Sequence, residues 1–381
     1  MIYYIGYYSP QDNQQTRKII LSAVNKMDYI INTINSLGDS QTIVSCSETK
    51  EKRGYMGEKI QLKDNVNLKT FRTFGRKNAF TKLADMVFIK LQMFFYLLKR
   101  LKKDDVMLVY HSPYYCNTVK FLRKIKKCRL ILEVEELYSD VSGDKNLRRK
   151  ELSVCRSADA FIFPTELLNA AVNYKGKPFS VIHGTYNVEN ERERIFNDGR
   201  IHVVYAGTFD PRKGGAVAAI AAGEFLPEKY HIHILGFGSD KEKADIKNQI
   251  SEVSKKTKAT VTYDGLLSGE EYICFIQSCD IGLSTQNPDA EFNSTSFPSK
   301  ILSYMANGLR VVSIKIPAIE KSAVGNYMYY YQKQTPAEIA EAIKSVDLND
   351  NYNGREIISN LSDKFCNNLN SILEDLKNEP A

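Results

Sequence analysis

The chain has 381 residues, 43% of them hydrophobic and 25% charged, an ordinary globular composition with apolar residues enough for roughly two domains. Lys and Arg number 52 against 45 Asp and Glu, a net charge of +7; this balance suits acidic ligands or an anionic membrane surface, and with no basic tract alternating with aromatics, nucleic acid is not expected as a partner. Seven cysteines without C-x-x-C spacing argue against a disulfide framework or a zinc site, and reduced thiols in a cytosolic protein are expected.

Met1–Tyr7 is β-rich and carries no basic leader, so it reads as a strand rather than a signal peptide. No uninterrupted apolar run approaches the roughly 18 residues of a spanning helix. Apolar residues at three- and four-residue spacing predict a helix from Thr16 to about Leu37, stopped by Gly38. Thr42–Cys46, Lys59–Leu62 and Val66–Phe71 read as strands. Ala79–Leu101 is a second long helix, apolar over much of its surface, with Lys99, Arg100, Lys102 and Lys103 at its end. It is either a core helix whose cations complement the dipole or a helix lying on a membrane surface with a basic rim. The strand Val106–Tyr110 follows and needs a partner on its face, which favours the core reading. Strands and helices then alternate to about His183, and the polar run Glu189–Gly199 reads as a linker. A second alternating block begins at Ile201 and runs through a final helix from Gly354 to Lys377. The predicted class is therefore α/β with two parallel-sheet domains: 1–190, 200–355, and a C-terminal helix 356–381 that packs back on the first.

Phe292–Ser313 organises the second block. Ser294, Thr295 and Ser296 offer capping oxygens, Pro298 suits a first helical turn, Lys300 is expected one turn inside, and Gly308 ends the helix. Hydroxyls and a lysine around a helix start favour an anion, so Ser296, Phe297, Ser299, Lys300 and Ser303 are candidate contacts for a phosphorylated ligand. The segment VVYAGTFDPRKGG at 203–215 ends a buried strand at Gly207 and Thr208 and presents Arg212 and Lys213; glycine admits close backbone approach and the cations suit phosphate, although a tight turn with solvated charges is the plainer reading. Gly236 and Gly238 follow the next strand, and Asp264 to Leu266 the one after; both loops suit a nucleobase, and either can be a plain turn.

In the first block Glu133, Glu135 and Glu136 cluster at a strand end. Glu135 and Glu136 are candidates for acid–base work or acceptor orientation, against capping and solvation as the alternative. There is no P-loop, no G-x-x-x-x-G-K motif, no G-x-S-x-G elbow and no D-x-D, and the five histidines show no metal spacing, so no metal is expected. His111 and His183 lie at strand ends, where a lone histidine is usually structural.

Strand–AG–loop–K–G at 203–214, GFG at 236–238, YDGLL at 263–267, SADAFIFPT at 157–165 and PSKILSYMANGLRVV at 298–312 together resemble the GT-B glycosyltransferases related to the large retaining family 4. The resemblance covers most of the chain and is sharpest from about 200 to 315. It implies a GT-B fold, two Rossmann-like domains facing across a cleft, with the sugar nucleotide on the C-terminal domain, the acceptor on the N-terminal one, no cofactor and no metal. The sequence departs from the family pattern in places. The arginine expected after the turn glycine is Thr208, whereas Lys213 keeps the lysine. The family's paired glutamates fall at Thr295 and Ser303, and its histidine falls near Glu135. These departures resemble a divergent bacterial branch acting on polysaccharide or glycoprotein.

The resemblance implies transfer of a hexose from a nucleoside diphosphate, UDP first among them, to an acceptor hydroxyl. Lys213 and Lys300 would hold the diphosphate. The acceptor would be a saccharide, a lipid-linked saccharide or a glycoprotein, with peripheral contact at the inner face of a membrane and homo-oligomers both compatible. A non-catalytic GT-B subunit or a sugar-nucleotide epimerase are the alternatives left open at this point.

Overall fold

The computed structural model describes residues 1–10, 16–211, 214–287 and 297–378. The chain divides into two compact units: Met1–Ile182 together with the residues from Lys364 on, and His183–Asp363.

The first unit is built on an eight-stranded sheet. Its order from one edge is Phe179–Val181, Ala160–Phe163, Arg129–Glu133, Val106–Tyr110, Ile2–Gly6, Gln41–Ser45, Val66–Lys69 and Lys59–Lys63. All neighbours are parallel except the last pair, which is antiparallel. Burial on both faces explains the near-continuous apolar runs of Ile2–Gly6 and Val106–Tyr110. The order reverses direction between Ile2–Gly6 and Val106–Tyr110, which makes their carboxyl ends the expected ligand position of this unit.

The second unit has six parallel strands in the order Thr260–Gly265, Tyr230–Phe237, Ile201–Thr208, Ile281–Ser284, Arg310–Ile314 and Met328–Tyr331. Numbered along the unit this is 3-2-1-4-5-6, the doubly wound order, with its switch point between Ile201–Thr208 and Ile281–Ser284. The strand Met328–Tyr331 was not expected from the sequence.

Several expectations need correction. The first helix spans Leu21–Ser36 and does not begin at Thr16, because Arg17–Lys18 pair antiparallel with Glu48–Thr49. The run 189–199 is not a free linker but is pinned to the second unit. Arg192 pairs with Glu270, Arg194 with Asp280, and Phe196 stacks on His202 at 4.2 Å between ring centroids. The final helix covers Gly354–Asn378; Phe365 meets Tyr29, and Lys377 pairs with Asp39, both within the first unit.

The helix Ala79–Arg100 is buried on one face, as the core reading expects, and exposed on the other. It starts at an Asn78–Thr81 capping box. Asp85, Ile89, Met93 and Leu97 form one buried stripe. Phe80, Leu83, Val87, Leu91 and Phe95, at the same helical spacing on the opposite side, are exposed. Phe95 is 62% exposed and Phe80 78%. No helix of the described residues is long and apolar enough to cross a membrane.

Candidate functional site

The second unit gathers its glycines at the carboxyl ends of two neighbouring strands. Gly207 and Gly236 are register partners. A Cβ on Gly236 would lie 1.8 Å from the Gly207 carbonyl oxygen, and its φ is +147°, so only glycine fits there. The space left bare is a cavity of about 220 Å³ lined by Ala206, Gly207, Gly236, Leu266 and Tyr272 among others. A second, of about 480 Å³, lies beside it against Thr208, Asp210, Pro211, Phe237, Gly238 and Glu242.

Among the described residues, Lys300 is the cation placed beside these glycines. It is the first residue of a seven-residue helix, Lys300–Ala306, rather than one turn inside it, and Ser299 makes no side-chain cap. Its Nζ sits 4.0 Å from the Tyr205 ring centroid, and a Cβ on Gly207 would come within 3.1 Å of it. So short a helix has a small dipole, and the ammonium is the larger local charge.

Tyr304, on the same helix, fixes that placement. Its ring is fully buried against Gly282, where a Cβ would approach to 2.3 Å. Its hydroxyl accepts a hydrogen bond from the Ala206 N–H at 2.8 Å. Burial raises the Tyr304 pKa well above normal, so the phenol stays protonated. Sequence reasoning noted this tyrosine without a role; the signal would have been a large side chain facing the glycine of IGLS.

The remaining expected contacts divide. Gly207, Thr208, Gly236, Gly238 and Leu266 line the two cavities. Ser303 hydrogen-bonds the hydroxyl of Tyr272, a cavity residue that sequence reasoning missed. Phe297 does not face the cavities: it is buried and its ring stacks on His183 at 4.8 Å. Ser299 sits against Gly184. The Asp264 carboxylate is turned to Thr262 and His233, which accounts for its absence from the lining. Arg212, Lys213 and Ser296 lie outside the described residues.

The first unit has its own cavity, about 410 Å³, at its switch point. Tyr7 follows the strand Ile2–Gly6, Tyr110 and Ser112 close the strand Val106–Tyr110, and Tyr114, Tyr138 and Glu48 complete the polar wall. Lys18 and Lys82 flank it. Glu48 presents a buried Oε2 with no hydrogen-bond partner, and sequence reasoning did not single it out. Burial raises the Tyr138 hydroxyl to about 12, so it is a donor at neutral pH.

Glu135 and Glu136 do not line this cavity. Glu135 pairs with Lys26 at 2.5 Å. Burial, then the charges of Glu135 and Glu151, raise the Glu136 pKa. His111 is committed to Glu151 at 2.9 Å.

Glu133 is fully buried and accepts from the Tyr4 hydroxyl at 2.5 Å. Burial, with Glu135 adding, pushes it to about 8. Its native pKa thus exceeds the unfolded value of about 4.3, and the native state holds more protons between those limits. Its contribution to stability is full below about pH 4 and is lost as pH rises through 8. Melting temperature is therefore expected to fall from pH 5 to pH 8, and Glu133→Gln to flatten that slope; an unchanged slope in the variant would place the dependence elsewhere.

Three histidines, thought to show no metal spacing, are brought together by strand register: one ligand atom each from His202, His231 and His233 lies within 4.8 Å of the others.

The comparisons with known proteins bear on the same unit. Residues 200–347 match the family model described as glycosyl transferases group 1. These residues form a group 1 glycosyltransferase domain. The match covers every strand and helix of the second unit from Ile201–Thr208 to Pro336–Lys344. No curated protein matches the sequence. Among solved structures, a UDP-forming α,α-trehalose-phosphate synthase from Burkholderia xenovorans aligns with TM-score 0.66 at 11% identity, covering 99% of each chain. Sucrose-phosphate synthase from Thermosynechococcus elongatus aligns with TM-score 0.65 at 14% identity, over 98% of this chain and 99% of that one. The E. coli trehalose-6-phosphate structure bound with UDP-2-fluoro glucose aligns with TM-score 0.64 at 13% identity, covering 100% of each chain. At these identities the likeness is one of fold, and the GT-B fold of the chain rests on it.

Proposed function

We propose that the protein moves a hexose from a UDP-sugar to a hydroxyl of a saccharide acceptor, with retention of configuration and without a divalent metal at the diphosphate. The observation that carries this is the Lys300 ammonium held over Gly207, inside the group 1 glycosyltransferase domain. A cation over a bare glycine turn meets the charge that grows on the leaving diphosphate as the glycosidic bond breaks. The cavity beside Leu266 and Tyr272 takes the uracil. The E. coli neighbour's UDP-2-fluoro glucose supports UDP as carrier. Incubation with a panel of nucleotide sugars, with and without acceptor, is expected to release UDP from one UDP-hexose, and UDP to raise the melting temperature. Release of another nucleoside diphosphate, or no shift with UDP, overturns this reading.

The acceptor belongs to the tyrosine-lined cavity of the first unit. Tyrosine faces pack on sugar rings, and Lys18 and Lys82 suit a phosphate on the acceptor. A lipid-linked saccharide has both parts, and the helix that supplies Lys82 also presents the exposed stripe from Phe80 to Phe95. Phe121 and Ile125 extend that stripe from the helix Cys116–Lys126, with Phe94 and Phe121 in ring contact at 5.8 Å. Lys99, Arg100, Lys102, Lys124 and Lys127 stand exposed around it. An apolar stripe within a cationic rim fits an anionic bilayer surface. The protein is expected to sediment with phosphatidylglycerol vesicles and not with phosphatidylcholine vesicles. The double variant Leu91→Glu/Phe95→Glu, both positions already exposed, is expected to lose that binding at least tenfold while keeping turnover on a soluble acceptor. Equal sedimentation of variant and parent removes the membrane surface from the proposal.

A further inference from the structure

We propose that His202, His231 and His233 form a binding site for a divalent transition metal of zinc type, separate from the nucleotide cavities. His202 and His231 are register partners on neighbouring parallel strands, and His233 is two residues further on, so all three point to one face of the sheet. These same strands carry Gly207 and Gly236 next to their last residues; the histidines lie toward their amino ends.

Hydrogen bonding orients each ring. His202 Nε2 lies 3.0 Å from Asp198 Oδ1, and a carboxylate only accepts, so the proton is on Nε2 and the lone pair on Nδ1. His233 Nδ1 lies 3.2 Å from Asp264 Oδ2, which leaves the lone pair on Nε2. Those two lone-pair nitrogens face each other at 2.9 Å. Thr262 donates its one hydroxyl proton to Asp264 at 2.8 Å and therefore accepts from His231 Nε2 at 3.0 Å. The lone pair of His231 is then on Nδ1, a buried atom with no hydrogen-bond partner.

Two imidazole lone pairs thus oppose each other, and one ring nitrogen from each of the three histidines lies within 4.8 Å of the others. A cation among them resolves that opposition. Histidine held by a carboxylate through its far nitrogen is the usual second layer of a metal site, and here Asp198 and Asp264 fill that place twice. Donors of a tetrahedral site with metal–nitrogen bonds of 2.0–2.1 Å stand about 3.4 Å apart. The separations here, 2.9 Å for one pair and no more than 4.8 Å for any, are compatible with that value once the His231 and His233 rings, stacked at 3.9 Å between centroids, turn toward a shared ion. Phe196 stacks on His202 and His233, and Phe275 meets His233 edge-on, so the walls are apolar. Imidazole donors select zinc, copper or nickel over magnesium or calcium. Such an ion would tie the two strands together at the end opposite the glycines.

Full-length protein, stripped with a chelator, is titrated with Zn²⁺ by calorimetry and with Co²⁺ by absorption. One equivalent of each is expected, with cobalt bands free of thiolate charge transfer and a melting temperature that rises with free metal. Mg²⁺ is expected to give no heat. His231→Ala is expected to weaken Zn²⁺ binding at least 100-fold, and Asp198→Asn about 10- to 100-fold. Asp198 is 41% exposed, so its variant keeps the test open if the histidine variant fails to fold. Less than one equivalent, a thiolate band, or unchanged affinity in Asp198→Asn overturns the proposal; the lone pairs would then be bridged by a proton alone.

Discussion

Replacing Lys300 by alanine is expected to lower turnover about 10²- to 10³-fold, the usual loss when one preorganised donor to a developing charge is removed. The lysine stands at the head of a seven-residue helix, too short for its dipole to compensate. Its position is set by parts that do not touch the ligand: Tyr304 holds the helix to Ala206, and the Tyr205 ring cradles the ammonium. Because the diphosphate gains charge as the bond to the sugar breaks, kcat is expected to fall more than the donor KM rises. Lys300→Met keeps the stem packed against Tyr205 and separates loss of charge from loss of packing. Both variants are measured by UDP release at saturating donor. A kcat within twofold of the parent in either one removes the lysine from the diphosphate site.

The alternating pattern made both sheets legible, because parallel strands buried on two faces are short apolar runs between helices. Val106–Tyr110 was read to the residue. Glycine positions were legible too, since Gly207, Gly236 and Gly308 sit where a backbone must approach or reverse. What could not be read was long-range choice. Nothing local says that Arg17–Lys18 pair with Glu48–Thr49, and so the first helix seemed to begin too early. Nothing local says which face of the apolar helix Ala79–Arg100 is covered, and the answer is only one. Asp264 sits at a strand end like a base contact, yet its side chain faces the histidines on the sheet surface. The histidines were judged by spacing along the chain, whereas their proximity comes from the register of two strands. Glu48 and Tyr272 gave no motif; each matters only through the cavity it lines.

Gly236→Ala is the second large effect, and it acts through the backbone. At φ +147° an L-residue is strained, and the added methyl would sit 1.8 Å from the Gly207 carbonyl oxygen, an atom with no freedom of its own inside a parallel ladder. The strands must part at that rung. The expected cost is about 3–5 kcal/mol, the range of mutations that combine backbone strain with a core clash. Gly199→Ala separates the two causes: it has φ +75° with nothing within 4 Å, so it bears the backbone strain alone, about 1–2 kcal/mol. Urea melts of both variants give the difference. UDP affinity should fall only in Gly236→Ala, since parting the rung moves Gly207 from beneath Lys300. If the two variants unfold at the same urea concentration and bind UDP alike, the close approach of these strands does not shape the site.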